Sequence, residues 1–487
     1  MSARFSDDSR PGRIGIVYAT IYAAVFMSNL DLFVVNVALP DIGRAFHGAS
    51  LNSLSWILNA YAIVFAALLV TAGRLFDRYG HRLGFLIGIL VFTASSVLCA
   101  ASDELGWLLA GRVLQAVGAA VLLPTSLALL LVTAPPGRRA RVVRAWSAVG
   151  GVAAALGPVV GGVLVQASWR WVFLINVPVG VLALITGSRV LPAERRPERG
   201  PVPDLLGALL LTAAVGLLAL GLIEGNDWGW TSPRVLGSLA ATPLLVILFV
   251  AQSARHRAPV VELPILRIIP FSAASIATAL FAVLFSGMIL SASLWCQSVW
   301  GYSALRTGLA LAPGPLMVPP MAALAGPLAR RIGNGAVAAL GNLLFGGGVL
   351  YWALRTGVAT GYTAGMLPGF LIGGVGVGLA LPTMTAAGAT ALPAERFATG
   401  TGVLTMARQI GAVIGVAIIV VIIGAPHGLA EAQNAFRHGW YATAGVGVLA
   451  AVASLVIPRS TAKPQALSAQ SPAAAPVATG AAIDRTG

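Results

Sequence analysis

Along this 487-residue chain, polar residues gather in short clusters separated by long apolar stretches. Fourteen such stretches cover 14–39, 53–73, 83–101, 107–132, 142–166, 171–191, 204–224, 234–252, 270–297, 303–326, 334–355, 362–385, 396–424 and 437–457. A hydrocarbon layer about 30 Å thick is crossed at 1.5 Å per residue by roughly 20 residues, so each stretch predicts a spanning helix. The first is too long for a secretion-signal core and lacks a small-residue cleavage site after it, which predicts a retained helix.

Three motifs in this pattern occur twice, in the same order. Gly73-Arg-Leu-Phe-Asp77-Arg78-Tyr-Gly80 returns as Gly326-Pro-Leu-Ala-Arg330-Arg331-Ile-Gly333. Gly118-Ala-Ala-Val-Leu-Leu-Pro124-Thr125 returns as Gly376-Val-Gly-Leu-Ala-Leu-Pro382-Thr383, and Gly157-Pro-Val-Val-Gly161 as Gly411-Ala-Val-Ile-Gly415. A duplicated unit of membrane helices predicts two halves rocking about a central site. The fold class expected is all-α integral membrane: a cytoplasmic segment 1–13, a six-helix bundle 14–196, a linker 197–268 carrying two inserted helices, a six-helix bundle 269–457 and a disordered tail 458–487.

Charge sets the orientation. Arg74, Arg78, Arg82, Arg138, Arg139, Arg141, Arg144, Arg195, Arg196, Arg199, Arg255, Arg257, Arg330 and Arg331 lie in even-numbered loops, and few arginines lie in odd ones. Positive loops stay inside, so both termini are expected in the cytoplasm. Trp56, Trp107, Trp169, Trp171, Trp228, Trp230, Trp300 and Trp440 fall near the other ends of spans, as an interfacial belt requires.

Composition narrows the function. Of all residues 57% are hydrophobic and 10% charged, against about 25% charged in soluble domains. The net charge of +15 is spread through short loops rather than gathered on a polar domain, which argues for lipid contact and against nucleic acid. Cys99 and Cys296 lie inside apolar stretches and read as packing residues, excluding a disulfide framework. The basic residues are almost all arginine, which with the Ala/Gly richness points to a GC-rich bacterial genome and hence a multi-pass protein of the bacterial cytoplasmic membrane. No phosphate loop, zinc motif or nucleophile elbow is present. The chain reads as no enzyme and as needing no cofactor, so uphill transport would draw on an ion gradient. A monomer is expected.

Asp31, in the first span, is the sharpest chemical signal. A carboxylate in hydrocarbon costs roughly 2.5–3.5 kcal/mol on insertion scales, so it needs a role or a partner. Either it titrates, or it is a buried acid hydrogen-bonded to Asn36 or Asn29. Arg112 in the fourth span shares a helix face with Gln115 and needs a carboxylate or water; Asp31 is the acid that half offers, unless Arg112 snorkels from its helix end. Arg408 in span thirteen is a candidate counter-ion or substrate contact. The loop holding Gly73, Asp77, Arg78, Gly80 and Arg82 reads as a gate. Asp77 is suited to capping a helix, and its counterpart Arg330 gives the halves opposite charges with which to latch. Gly157, Pro158, Gly161 and Gly162 give span five a close-packing face with a bend. Glu224 and Asp227 read as a solvated end of span seven.

These residues resemble the major facilitator superfamily, specifically its fourteen-spanning drug:proton antiporters. The resemblance is carried by Leu30-Asp31…Asn36-Val-Ala-Leu-Pro40, Gly73–Arg82, Arg112 with Gln115, Gly157-Pro158-Val-Val-Gly161-Gly162 and Trp169-Arg-Trp-Val-Phe-Leu-Ile-Asn176-Val-Pro178-Val-Gly180. It implies proton coupling at Asp31 and Arg112, gating at Gly73, Asp77 and Arg78, an antiport helix at Gly157–Gly162, and efflux of a small molecule by alternating access. A substrate cavity would include Asn36, Asn59, Tyr61, Gln115, Gln297 and Arg408. Ala116 and Ala153 depart from the family's glycines. No acid lies in spans nine to twelve, which disfavours dications and fits neutral or singly charged compounds. An importer of nutrients or peptides, a lipid flippase and a receptor without transport are the competing readings.

Overall fold

A computed structural model of the chain describes residues 11–46, 49–192, 201–393 and 396–458. Among these, helices run in the expected order: α1 Pro11–Ala45, α2 Leu51–Tyr79, α3 His81–Ala101, α4 Leu105–Thr133, α5 Arg139–Ala167, α6 Trp171–Val190, α7 Leu205–Ile223 and α8 Pro233–Arg255. They continue as α9 Ile269–Leu294, α10 Ala304–Ile332, α11 Asn334–Arg355, α12 Tyr362–Thr390, α13 Phe397–Ile423 and α14 Leu429–Leu455. Thirteen are long and apolar enough to cross a membrane. The exception is α14, whose first half carries Glu431, Arg437 and His438; it still packs inside the bundle through Phe436 and Trp440. Residues 1–10, the Arg195–Arg199 cluster and the tail from 459 lie outside the described residues.

With fourteen helices in alternation, α1 begins and α14 ends on one face, called here the terminal face. Serine caps set the re-entry points on the opposite face: Ser50, Ser232 and Ser303 each accept the backbone N–H three residues on. Satisfying these orphan donors fixes where α2, α8 and α10 start.

The sequence repeat reappears as repeated packing. A Cβ on Gly118 would lie 2.6 Å from the backbone nitrogen of Phe92, closing α4 onto α3; one on Gly376 would meet the nitrogen of Phe345, closing α12 onto α11. Gly161 sits against Val34 on α1, and Gly415 sits against Val283 on α9. Gly80 and Gly333, at matching turns, adopt φ of 102° and 93°, a conformation that L side chains rarely take. Small residues therefore set helix spacing where no hydrophobic force drives helices together in lipid.

Two expectations change. Residues 73–79 are helical rather than looped, because the α2 ladder runs unbroken to Tyr79 and only Gly80 leaves it. The tryptophan belt is partial: Trp107, Trp171, Trp228 and Trp230 are exposed, but Trp169, Trp300 and Trp440 are buried. Trp440 lies well inside α14, edge-on to Trp295 and Trp352, and donates to Ser291 Oγ at 3.2 Å.

Replacing Gly118 by Ala must push α3 from α4, because backbone cannot yield as a flexible side chain does; the expected cost is about 1–3 kcal/mol. Gly347, with open space around its Cα, is the control. Thermal denaturation in detergent should show Gly118→Ala well below wild type and Gly347→Ala close to it.

Candidate functional site

Asp31 lies midway along α1, and the helices around it supply a closed polar cluster. Arg112 Nη1 donates to Asp31 Oδ2 at 2.5 Å and to Gln115 Oε1 at 2.6 Å. Gln115 Nε2 donates to Asp31 Oδ1 at 2.9 Å and to Ser96 Oγ at 2.9 Å. Asn176 Nδ2 reaches Asp31 Oδ1 at 3.0 Å and Ser96 Oγ at 3.3 Å. Arg112 Nε donates to the carbonyl of Ile57 at 3.0 Å, and its guanidinium lies 4.3 Å from the Tyr61 ring centre. Five helices, α1, α2, α3, α4 and α6, thus converge on one carboxylate, and both charged side chains are at most 1% exposed.

The local sequence explains the geometry. Arg112 and Gln115 stand three apart on α4 and so present to one side, where a fork of donors meets both carboxylate oxygens. Desolvation of such a pair is repaid only by good geometry and further hydrogen bonds, and here the surrounding amides and the Ile57 carbonyl supply them to Asp31 Oδ1 and to Arg112 Nε and Nη1. Asn29 and Asn36, the alternative partners for Asp31, instead donate to the carbonyls of Val25 and Leu32 on their own helix. Snorkelling is likewise excluded for Arg112, which points inward to Asp31.

The residues expected to line one cavity separate into different roles. Gln115 and Tyr61 belong to the Asp31 cluster and are sealed from any cavity. Asn36 and Gln297 form part of the junction between halves: the Asn36 carbonyl accepts from Ser293 Oγ at 3.1 Å, and Gln297 Nε2 donates to the Val37 carbonyl at 3.0 Å. Gln297 also lines a recess of about 340 Å3 on the opposite face with Pro40, Arg44 and Leu54. Asn59 is fully buried on α2, and neither of its side-chain amide atoms has a hydrogen-bond partner. Arg408 is half-buried on α13, without an acid or carbonyl partner among the described residues.

The α5 glycines serve two neighbours. Gly157 and Gly161 press on Phe33 and Val34 of α1, while Gly162 lies 2.6 Å, by its would-be Cβ, from the Ala304 carbonyl of α10, and Gly308 of α10 closes on Pro158. The assigned helix runs unbroken through Pro158. The halves therefore meet backbone to backbone near the opposite face.

On the terminal face the expected latch is replaced by another. Gly73 packs against Pro124, Asp77 lies 3.7 Å from His81 Nδ1 rather than capping a helix, and Arg82 donates to the Ser188 carbonyl at 2.6 Å within the same half. Arg330 is exposed and pairs with no acid among the described residues. The cross-half contact is Glu262, in the segment returning from α8. Its Oε1 accepts from Arg74 Nη2 of α2 at 2.9 Å and its Oε2 lies 3.7 Å from Arg396 Nε at the start of α13. Arg78, at the end of α2, lies 5.7 Å from the centre of the Tyr79 ring. At the opposite face Asn52 of α2 donates to Asp227 Oδ2 at 2.7 Å, and Asn226 donates to the Val421 carbonyl of α13 at 2.8 Å. Asp227 is thus a tie to α2 as well as a solvated acid. Burial pushes the neighbouring Glu224 carboxyl above its ordinary value, against the hydrogen bond from Trp56. Ser96, Asn176 and Glu262 were not singled out by sequence as site residues. Asn176 alone carried a signal, as a member of the Trp169–Gly180 run on which the family resemblance rests.

A model of the Major Facilitator Superfamily matches residues 21–416 and again 276–485. The chain belongs to this superfamily. Among curated proteins it is 34% identical to the tetracenomycin C resistance and export protein of Streptomyces glaucescens, over 85% of this chain and 76% of that one. It is equally 34% identical to the methylenomycin A resistance protein of Bacillus subtilis, covering 89% and 91%. Solved structures share the fold at low identity. A peptide transporter POT aligns with TM-score 0.67, 17% identity and 93% and 95% coverage, and a bacterial homolog of the human lysosomal transporter Spinster with TM-score 0.66, 16% identity and 92% and 98%. The chain is a multi-pass membrane transporter protein for small molecules.

Removing one member of a buried pair leaves the other charge uncompensated, at about 3–5 kcal/mol. Asp31→Asn should lower the denaturation temperature in detergent, and Asp31→Asn with Arg112→Gln should recover most of the loss. Equal destabilisation by the single and double variants would show that the pair does not act as a unit.

Proposed function

We propose that this chain exports a lipophilic antibiotic or drug, neutral or singly charged, across the bacterial cytoplasmic membrane in exchange for protons. The observation that carries this is the Asp31–Arg112 cluster, a buried carboxylate bonded to one guanidinium and two side-chain amides in the middle of a span. A proton arriving at Asp31 removes the charge that holds Arg112, and the cluster must rearrange. The route outward is α1 itself, because the carbonyls of Asn36 and Val37, five and six residues beyond Asp31, receive the cross-half bonds from Ser293 and Gln297. Protonation and cargo binding then stabilise opposite openings, which is all that coupling requires.

In this reading the terminal face is cytoplasmic, the opposite face is external and closed in the state described, and a monomer suffices. The halves at 14–196 and 269–457 rock as bodies, with 197–268 as an insertion between them. The names of the curated relatives support efflux over the competing import and flippase readings.

The decisive experiment uses inside-out vesicles carrying a proton gradient. Adding a cargo should discharge the gradient in wild type, and Asp31→Asn should lower that rate by about tenfold or more. Equal discharge by both would place coupling elsewhere. Glu262→Gln tests the terminal-face contact: losing the Arg74 and Arg396 bridges should change the turnover rate while leaving the ratio of protons to cargo intact. An unchanged turnover would remove Glu262 from the gate.

A further inference from the structure

Arg408 is the one intramembrane cation among the described residues that neither Asp31 nor a helix end accounts for. It sits near the middle of the Thr399–Ile423 span, and helices α9 to α13 contain no Asp or Glu. Its direction follows from the contacts of its neighbours. Gly402 faces α2, where its Cβ would lie 3.1 Å from Val70, whereas Gly411 and Gly415 face α9 at Ala279 and Val283. Thr401, Thr405, Arg408 and Ala412 make an i, i+4, i+7, i+11 stripe between those two directions, and all four are half-buried. The stripe therefore looks into the space between α2 of the first half and α9 of the second, where cargo bound between the halves must lie. A cation at this depth that faced lipid would be strongly disfavoured, and here it lacks a counter-charge.

The second observation is the surface beside it. Ser286 Oγ of α9 donates to the Ala412 carbonyl, one turn of α13 beyond Arg408. Next to Ser286, Phe285 meets Phe33 of the other half edge-on at 6.2 Å and stacks on Phe281 at 5.9 Å. Phe33 and Phe285 thus form an aromatic wall spanning both halves, and the residue next to Phe285 is tied to α13 one turn beyond Arg408.

We propose that Arg408 is the anion-recognising residue of the cargo site, and that the cargo is a flat aromatic monoanion such as a carboxylate or acidic phenol. The ring system lies against Phe33 and Phe285, and the anionic group forms the charge-assisted fork with Arg408 that no protein carboxylate provides. This deepens the export reading and rests on it for the direction of transport, but not for binding.

The test compares anthraquinone-2-carboxylate with anthraquinone-2-carboxamide, first as ligands of the purified protein by tryptophan-fluorescence quenching, then as cargoes in inside-out vesicles. Wild type should bind the carboxylate about tenfold more tightly than the amide. Arg408→Gln should abolish that preference while leaving amide affinity within about twofold, and Arg408→Lys should keep part of it. Equal affinity of wild type for the two probes, including no binding of either, overturns the proposal, as does a preference that survives Arg408→Gln. If Arg408→Gln fails to fold, the wild-type comparison and Arg408→Lys still decide. A carboxylate preference without discharge of the proton gradient would leave the anion site standing and overturn proton-coupled efflux instead.

Discussion

The first half of this molecule is organised around one desolvated ion pair. Asp31 and Arg112 are tolerable in hydrocarbon because Gln115, Asn176 and the Ile57 carbonyl bond to them while Ser96 holds the two amides, and each partner comes from a helix that must be in register to reach. The pair constrains five helices at once, so a change in its protonation cannot stay local. The second half has the same helix packing without the ion pair. There the matching interior is apolar and aromatic, built from Phe281, Phe285, Phe345 and a tryptophan cluster, with Arg408 left uncompensated. Duplication copied the scaffold and not the chemistry.

Glycine carries the scaffold in both halves. Where a Cβ would strike backbone, at Gly118 and Gly376 or at Gly161 and Gly415, the helices approach to distances that side chains forbid. The same residues that set spacing within a half also set it between halves, since Gly162 and Gly308 close α5 on α10. Close approach brings many weak dispersion contacts into range, and in lipid these replace the hydrophobic drive of a soluble core.

Much of this was legible in the chain. Apolar length gave the spans, the repeated glycine motifs gave the paired packing, and the scarcity of intramembrane charge left Arg112 few partners besides Asp31. What was not legible depended on tertiary register. Ser96 and Asn176 are ordinary polar residues of α3 and α6, and only three-dimensional convergence makes Asn176 a ligand of the carboxylate and Ser96 the acceptor that holds Gln115 and Asn176. Tyr61 and Gln115 looked like cavity residues because aromatic and amide side chains suit both cavities and clusters. Glu262 lay in a loop, where an acid reads as solvated, and its partner Arg74 is 188 positions away. Span fourteen was visible as an apolar run, but its polar first half joined the helix because Phe436 and Arg437 find partners there.

The two inserted helices do more than lengthen a connection. Their ends touch both halves on both faces: Asp227 and Asn226 hold α2 and α13 at one, and Glu262 does so at the other. The α2–α13 boundary is therefore strapped top and bottom, whereas among the described residues the α5–α10 boundary has only direct contact to hold it. Two bodies joined in this way behave like the covers of a bound book, with the insertion as the spine. A membrane-dissolved molecule arriving from the side would find the fore-edge, between α5 and α10, the easier way in.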